Sequence, residues 1–228
     1  LAKEQFIHAG FNERAIFPFG YFISRQNEVM APKKNGGDGL KLVFVGALLK
    51  TKGLDIAVQA VETLYEKGFN VSFDIYGTGD PGLFFSPASA CVRYKGVIPQ
   101  GEAQKVIAQY DLLVLPSRHD GWGVVVNEAL LQGVPVIVSD RVGAQCLIET
   151  SGAGMIFRHD DPDDLATEIE SILNDINKLK LLRQNALELA PQILPEIAAK
   201  YLLDVFNFYF FDQGKRPDAI WCGINNNN

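Results

Sequence analysis

From Leu40 onward, short apolar runs of strand length alternate with stretches in which apolar residues recur every three to four positions. The short runs occupy 41–45, 71–76, 92–95, 111–115, 135–138 and 154–157 and predict six strands. Helical periodicity fills the gaps. Between Leu54 and Tyr65 the apolar positions are Leu54, Ala57, Val58, Val61, Leu64 and Tyr65, a single stripe suited to lie on a sheet. The same spacing returns at Leu165, Ile169, Ile172, Leu173 and Ile176. Strands that alternate with helices in this way are the pattern of a parallel sheet covered on both faces. Short connections force right-handed crossovers, so the predicted fold class is α/β, a Rossmann-like doubly wound parallel sheet of about six strands.

The ends of the chain break this rhythm. Residues 1–39 hold the apolar mixture Ala15-Ile16-Phe17-Pro18-Phe19-Gly20-Tyr21-Phe22-Ile23, then Lys33-Lys34-Asn35-Gly36-Gly37-Asp38-Gly39. They are expected to be the remnant of a preceding domain followed by a flexible linker. Residues 40–195 then form the Rossmann-like domain, and 196–224 an aromatic-rich helix and tail. Tyr201, Phe206, Phe208, Tyr209, Phe210 and Phe211 are more aromatic surface than a solvated helix needs, so something should cover them. Docking on the domain's own sheet is the simplest cover; a neighbouring domain or a peripheral contact with a membrane surface are the others. Asn225 to Asn228 read as a disordered tail.

Composition narrows the class of partner. With 47% hydrophobic and 21% charged residues among 228, a folded soluble protein is expected. A net charge of -6 argues against nucleic acid, whose binders carry a basic face. A small anion held by local dipoles and one or two lysines remains compatible. Cys91, Cys146 and Cys222 are odd in number and far apart, which fits packing residues in a reducing compartment. His8, His119 and His159 form no spaced pair with another metal ligand, so no metal site is expected. No apolar run approaches a bilayer span and no signal-peptide order opens the chain. A cytoplasmic location follows, with peripheral attachment to the inner face of the membrane as the variant; oligomeric state is left open.

The stretch with most chemistry runs from Ser117 to Leu130, where Asp120-Gly121-Trp122-Gly123 joins a strand end to a helix and places Asp120 and Glu128 eight positions apart. The first N–H groups of a helix have no intrahelical acceptor and attract phosphate. Gly121 and Gly123 let a ligand approach the backbone. Glu128 lies little more than a turn into the helix, and its carboxylate, an acceptor only, suits a vicinal diol such as a ribose. Singly, Asp120-Gly121 also reads as a plain turn and Glu128 as a solvated helix residue. Open α/β sheets bind ligands beyond the carboxyl ends of their strands, where four glycine-bearing loops fall: 46–53, 77–82, 96–101 and 120–123. A dinucleotide-binding dehydrogenase is set aside. Gly46-Ala47-Leu48-Leu49-Lys50 has the wrong spacing, and Gly77-Thr78-Gly79-Asp80-Pro81-Gly82 follows the second strand and contains Pro81.

From about Leu40 to Leu182 the chain resembles the donor-nucleotide domain, the C-terminal half, of retaining GT-B glycosyltransferases of group 1, which build lipopolysaccharide, capsule and other glycans. The residues that carry the resemblance are Val45-Gly46 with Lys52-Gly53, Ile75-Tyr76-Gly77-Thr78-Gly79, Tyr94-Lys95-Gly96-Val97-Ile98, Val114-Leu115-Pro116-Ser117, Asp120-Gly121-Trp122-Gly123 through Glu128-Ala129, and Gly133-Val134-Pro135-Val136-Ile137. It implies a metal-independent hexosyltransferase with no cofactor beyond its nucleoside-diphosphate sugar. In that scheme the backbone at Val97 and Ile98 edges the nucleobase and Glu128 holds the ribose. Asp120, with Gly121 and the amides near Trp122 and Gly123, grips the sugar. The amides of Val124 and Val125 meet the diphosphate, Lys52 lies against it, and Gly46 belongs to the nucleotide-sugar site; Lys52 and Asp120 are the catalytic pair. The family usually has an arginine where this chain has Ala47, and glutamate where it has Asp120. Lys50 and Arg118 are the nearby cations that could replace the arginine. An acceptor-binding N-terminal domain is expected beyond residues 1–23, so the fragment alone should bind donor and transfer little. A hydrolase or epimerase using His119, or a non-catalytic nucleotide-binding module, are the alternative functions.

Overall fold

The computed structural model describes residues 2–26, 39–86, 88–219 and 221. Its six strands are β1 (Leu40–Val45), β2 (Val71–Tyr76), β3 (Val92–Tyr94), β4 (Leu112–Leu115), β5 (Val136–Ser139) and β6 (Gly154–Phe157), each end within one residue of expectation. All pair in parallel, in the order β3-β2-β1-β4-β5-β6. Progress across the sheet therefore reverses between β1 and β4, and a crevice opens beyond their carboxyl ends. Both faces are covered, as consecutive buried residues require: Leu42, Val43 and Phe44 in β1, and every residue of β4 and β5, lie out of solvent. Burial of each of the larger side chains, such as Phe44 or Leu115, stabilises the domain by about 1.5–3 kcal/mol.

On one face lie α2 (Leu54–Glu66) and α6 (Pro162–Asn174), which pack on each other. The other carries α3 (Ala103–Ile107), α4 (Val124–Leu130), α5 (Gln145–Ser151) and α7 (Ile176–Leu189). The apolar stripe that reaches Ile176 in sequence is interrupted. Asp175 is extended (φ -137, ψ 95) and its carboxylate accepts the N–H of Asn177, so it ends α6 and caps α7, leaving Ile176 46% exposed.

The N-terminal segment is docked rather than loose. After α1 (Ala2–His8) and a 3-10 turn (Glu13–Ala15), it runs extended to residue 26. Gln104, 1% exposed, donates from Nε2 to the Ser24 carbonyl and accepts the Gln26 N–H at its Oε1, and Arg25 Nε donates to the Leu131 carbonyl. Lys33 to Asp38 of the expected linker, Cys222 and the Asn225 to Asn228 tail lie outside the described residues.

The aromatic helix, α8 (Pro195–Phe211), is a correction to the simplest expectation. It buries only Ala198 and Tyr201 and turns toward the N-terminal segment instead of the sheet. Phe17 meets Phe208 and Tyr209 edge-on at 6.1 and 6.3 Å, and the Tyr201 hydroxyl donates to the Pro18 carbonyl at 2.9 Å. The reason is occupancy: α2 to α7 already cover both faces of the sheet. Leu203, Phe206, Tyr209, Phe210 and Phe211 remain exposed.

Candidate active site

Beyond β1 and β4 the crevice widens into a cleft of about 620 Å³. Gly46, Ala47 and Lys52 supply one wall from the loop after β1; Asp120, Gly121, Trp122 and Gly123 supply the other, followed by Val124 and Val125 at the start of α4. Two glycines make this close approach possible. Gly53 has φ 65, and a Cβ there would stand 2.0 Å from the Pro116 carbonyl oxygen, so only glycine lets the Lys50–Lys52 turn settle on the end of β4. Gly123 has φ 87, and its missing side chain leaves room for Leu115 and Val142 where α4 begins.

Settled in this way, Lys52 Nζ lies 2.6 Å from Asp120 Oδ2, in a partly buried pair with side-chain exposures of 28% and 14%. The lysine ammonium has three N–H donors, of which this bond uses one, and Asp120 Oδ1 has no partner among the described residues. The Asp120 backbone is pinned to the loop after β5: its N–H donates to the Arg141 carbonyl and its carbonyl accepts the Gly143 N–H. At Val124 and Val125 the helix presents N–H groups that have no intrahelical acceptor.

The cation balance of the cleft departs from the resemblance. Lys52 is the one cationic side chain among the described residues that line it. Arg118 does not replace the missing arginine at Ala47, because its guanidinium is engaged elsewhere: bidentate to Asp55 at 2.8 and 2.7 Å, to Asp160 at 2.6 Å and to the Lys50 carbonyl at 2.6 Å. Hydrogen bonding to Arg118 holds the Asp55 carboxyl below its ordinary pKa. Lys50 is exposed and outside the lining.

Of the residues expected from sequence, Gly46, Lys52, Asp120, Gly121, Trp122, Gly123, Val124 and Val125 share this cleft. Val97, Ile98 and Glu128 are not in its lining, and of the four glycine-bearing loops only 46–53 and 120–123 contribute to it. Val97 stands 59% exposed beyond the edge strand β3. Glu128 is half-buried in α4 without a partner among the described residues, and burial pushes its carboxyl pKa up. His119 is exposed and outside the lining. Tyr21, 101 positions before Trp122, also lines the cleft and was not legible in sequence. Asn127 holds it there: buried, it accepts from Trp122 Nε1 at 2.8 Å and donates to the Tyr21 carbonyl at 3.0 Å. An asparagine beside Val126 on the inward side of a predicted helix was the available signal. Among the described residues no three His, Cys, Asp or Glu side chains cluster as a metal site, and no helix is long and apolar enough to cross a membrane.

Against known proteins, residues 39–175 match the family model described as Glycosyl transferases group 1, which covers more than half of the chain. The chain belongs to this family. Among curated relatives, the D-inositol 3-phosphate glycosyltransferase of Corynebacterium kroppenstedtii is 23% identical over 80% of this chain and 42% of its own length. The amylovoran biosynthesis glycosyltransferase AmsK of Erwinia amylovora is 30% identical over 56% of this chain and 34% of its own. Anabaena HepE, solved in complex with UDP and glucose, superposes with a TM-score of 0.67 at 20% identity, over 87% of this chain and 60% of its own. The group 1 glycosyl transferase domain described here thus has the fold of the C-terminal portion of GT-B enzymes, and the chain spans less than half the length of the curated relatives it matches.

Proposed function

We propose that this chain is the donor-binding half of a retaining glycosyltransferase, which holds a nucleoside-diphosphate sugar for transfer to a glycan or lipid-linked acceptor bound by a further domain. The observation that carries the reading is the pairing of Lys52 with Asp120 at 2.6 Å beside the start of α4. Rupture of the anomeric C–O bond moves negative charge onto the leaving diphosphate. Lys52, oriented by Asp120, has two N–H donors left to meet that charge as it grows, and the amides of Val124 and Val125 add to them. Asp120 Oδ1 accepts from a sugar hydroxyl on the opposite side. Glu128 takes the ribose hydroxyls, and the backbone at Val97 and Ile98 edges the base. The positive charge the step needs comes from these groups, so the reading invokes no metal ion. A hydrolase or epimerase acting through His119 finds no support in an exposed side chain outside the cleft.

Titration calorimetry of the chain with UDP, GDP, UDP-glucose and GDP-mannose tests the reading. Saturable binding of at least one is expected, weakened but still measurable in Lys52→Met; an absence of binding to every nucleoside diphosphate and its sugar overturns it.

A further inference from the structure

Arg118 joins the turn that carries Lys52 to the loop that carries Asp120. Its guanidinium donates to the Lys50 carbonyl at 2.6 Å, and its backbone N–H donates to the Thr51 carbonyl at 2.9 Å, so two bonds hold the turn that ends in Lys52. The bidentate pair with Asp55 fixes the first turn of α2 just after that lysine. The bond to Asp160 ties in the loop after β6, where Asp160 adopts a left-handed backbone (φ 56). Such a conformation is disfavoured for a residue other than glycine and persists only where surrounding bonds hold it. Arg118 itself lies two positions before Asp120. One planar fork thus bridges the carboxyl ends of β1, β4 and β6, and four of its five N–H donors are taken. A lysine, whose three donors all radiate from one nitrogen, cannot span the same acceptors.

We propose that Arg118 is a positioning residue that sets the distance and orientation of Lys52 against Asp120, and so prepares the lysine for the diphosphate without touching it. The inference rests on the proposed donor site only for its binding readout. Its charge is balanced locally by Asp55 and Asp160, which separates this role from that of a phosphate-binding arginine.

The test is a double-mutant cycle on the chain, with UDP affinity by calorimetry for the native protein, Arg118→Met, Lys52→Met and the double variant. Arg118→Met is expected to weaken binding about tenfold, within the range of coupling between members of one network. On the Lys52→Met background the same change should cost less than about twofold, because the group it positions is gone. Effects that multiply show a general structural role and overturn the proposal. Arg118→Lys should behave like Arg118→Met; full rescue by lysine also overturns it. If Arg118→Met does not fold, as read by thermal melting, Asp160→Gly removes the acceptor of one tether and suits the left-handed backbone, and must show the same non-additivity with Lys52→Met. The Lys52 ammonium signal in 1H–15N spectra is a readout free of ligand. It is expected in the native chain and lost in Arg118→Met, and its persistence in the variant overturns the positioning role even if the chain binds no nucleotide, an outcome that would remove the donor-site reading alone.

Discussion

Replacement of Glu128 by glutamine should make the free chain more stable and the complex weaker. Its carboxylate is half-buried in α4 with no cation or donor among the described residues, and burial raises its pKa. Between the unfolded and the raised folded pKa the native chain binds more protons than the unfolded one, so stability falls as pH rises through that window and stays lower above it. Glu128→Gln removes this loss. At neutral pH the gain should be about 0.5–1 kcal/mol, in keeping with functional groups that are held at a cost to stability. For a chain of this size that is about 1–4 °C in Tm, and the difference should vanish below the ordinary glutamate range. Binding should move the other way. A carboxylate can accept from both ribose hydroxyls with charge-assisted bonds, whereas an amide offers one acceptor oxygen. The loss of about 1.5–3 kcal/mol corresponds to roughly a 10- to 150-fold rise in Kd for UDP. Thermal melts from pH 4 to pH 8 and calorimetry with UDP check the two arms. Unchanged affinity would take Glu128 out of the site, and an unchanged or lowered Tm at neutral pH would contradict the claim that its charge is held without a partner.

Ala47→Arg adds a second cation to a cleft in which Lys52 is the one cationic side chain among the described lining residues, and should tighten UDP binding about three- to tenfold at low salt, with less gain at 150 mM; calorimetry at the two ionic strengths measures it. Gly53→Ala forces a Cβ to within 2.0 Å of the Pro116 oxygen at φ 65, so the Lys52 turn must lift from β4. A loss of about 2–4 kcal/mol in urea unfolding is expected, together with weakened UDP binding, since Gly53 directly follows Lys52. Preserved stability in that variant would show that the turn yields without effort.

The architecture was legible because it rests on local periodicity. Each strand end fell within one residue of its expectation, since consecutive apolar runs and amphipathic stripes are properties of neighbours in sequence. The break at Asp175 was missed for a local reason of another kind: an aspartate that accepts the N–H of Asn177 ends one helix and starts the next without disturbing the apolar stripe. The aromatic excess of α8 was also plain in sequence, but its placement against Phe17 and Pro18 depended on which faces of the sheet were already filled.

The motif order from Gly46 to Glu128 was sufficient to name the family and to select eight of the residues that line the cleft. Only the folded chain decided how these residues relate. It brought Lys52 to 2.6 Å from Asp120 across 68 positions, diverted Arg118 to Asp55 and Asp160, left Glu128 without a partner among the described residues, and carried Tyr21 into the wall through Asn127. Composition and period report what each residue prefers of its neighbours and of water. Distances between side chains on different loops depend on strand order, on the glycine contacts that let loops meet, and on which carboxylate reaches a cation first, and these exist only once the sheet has closed.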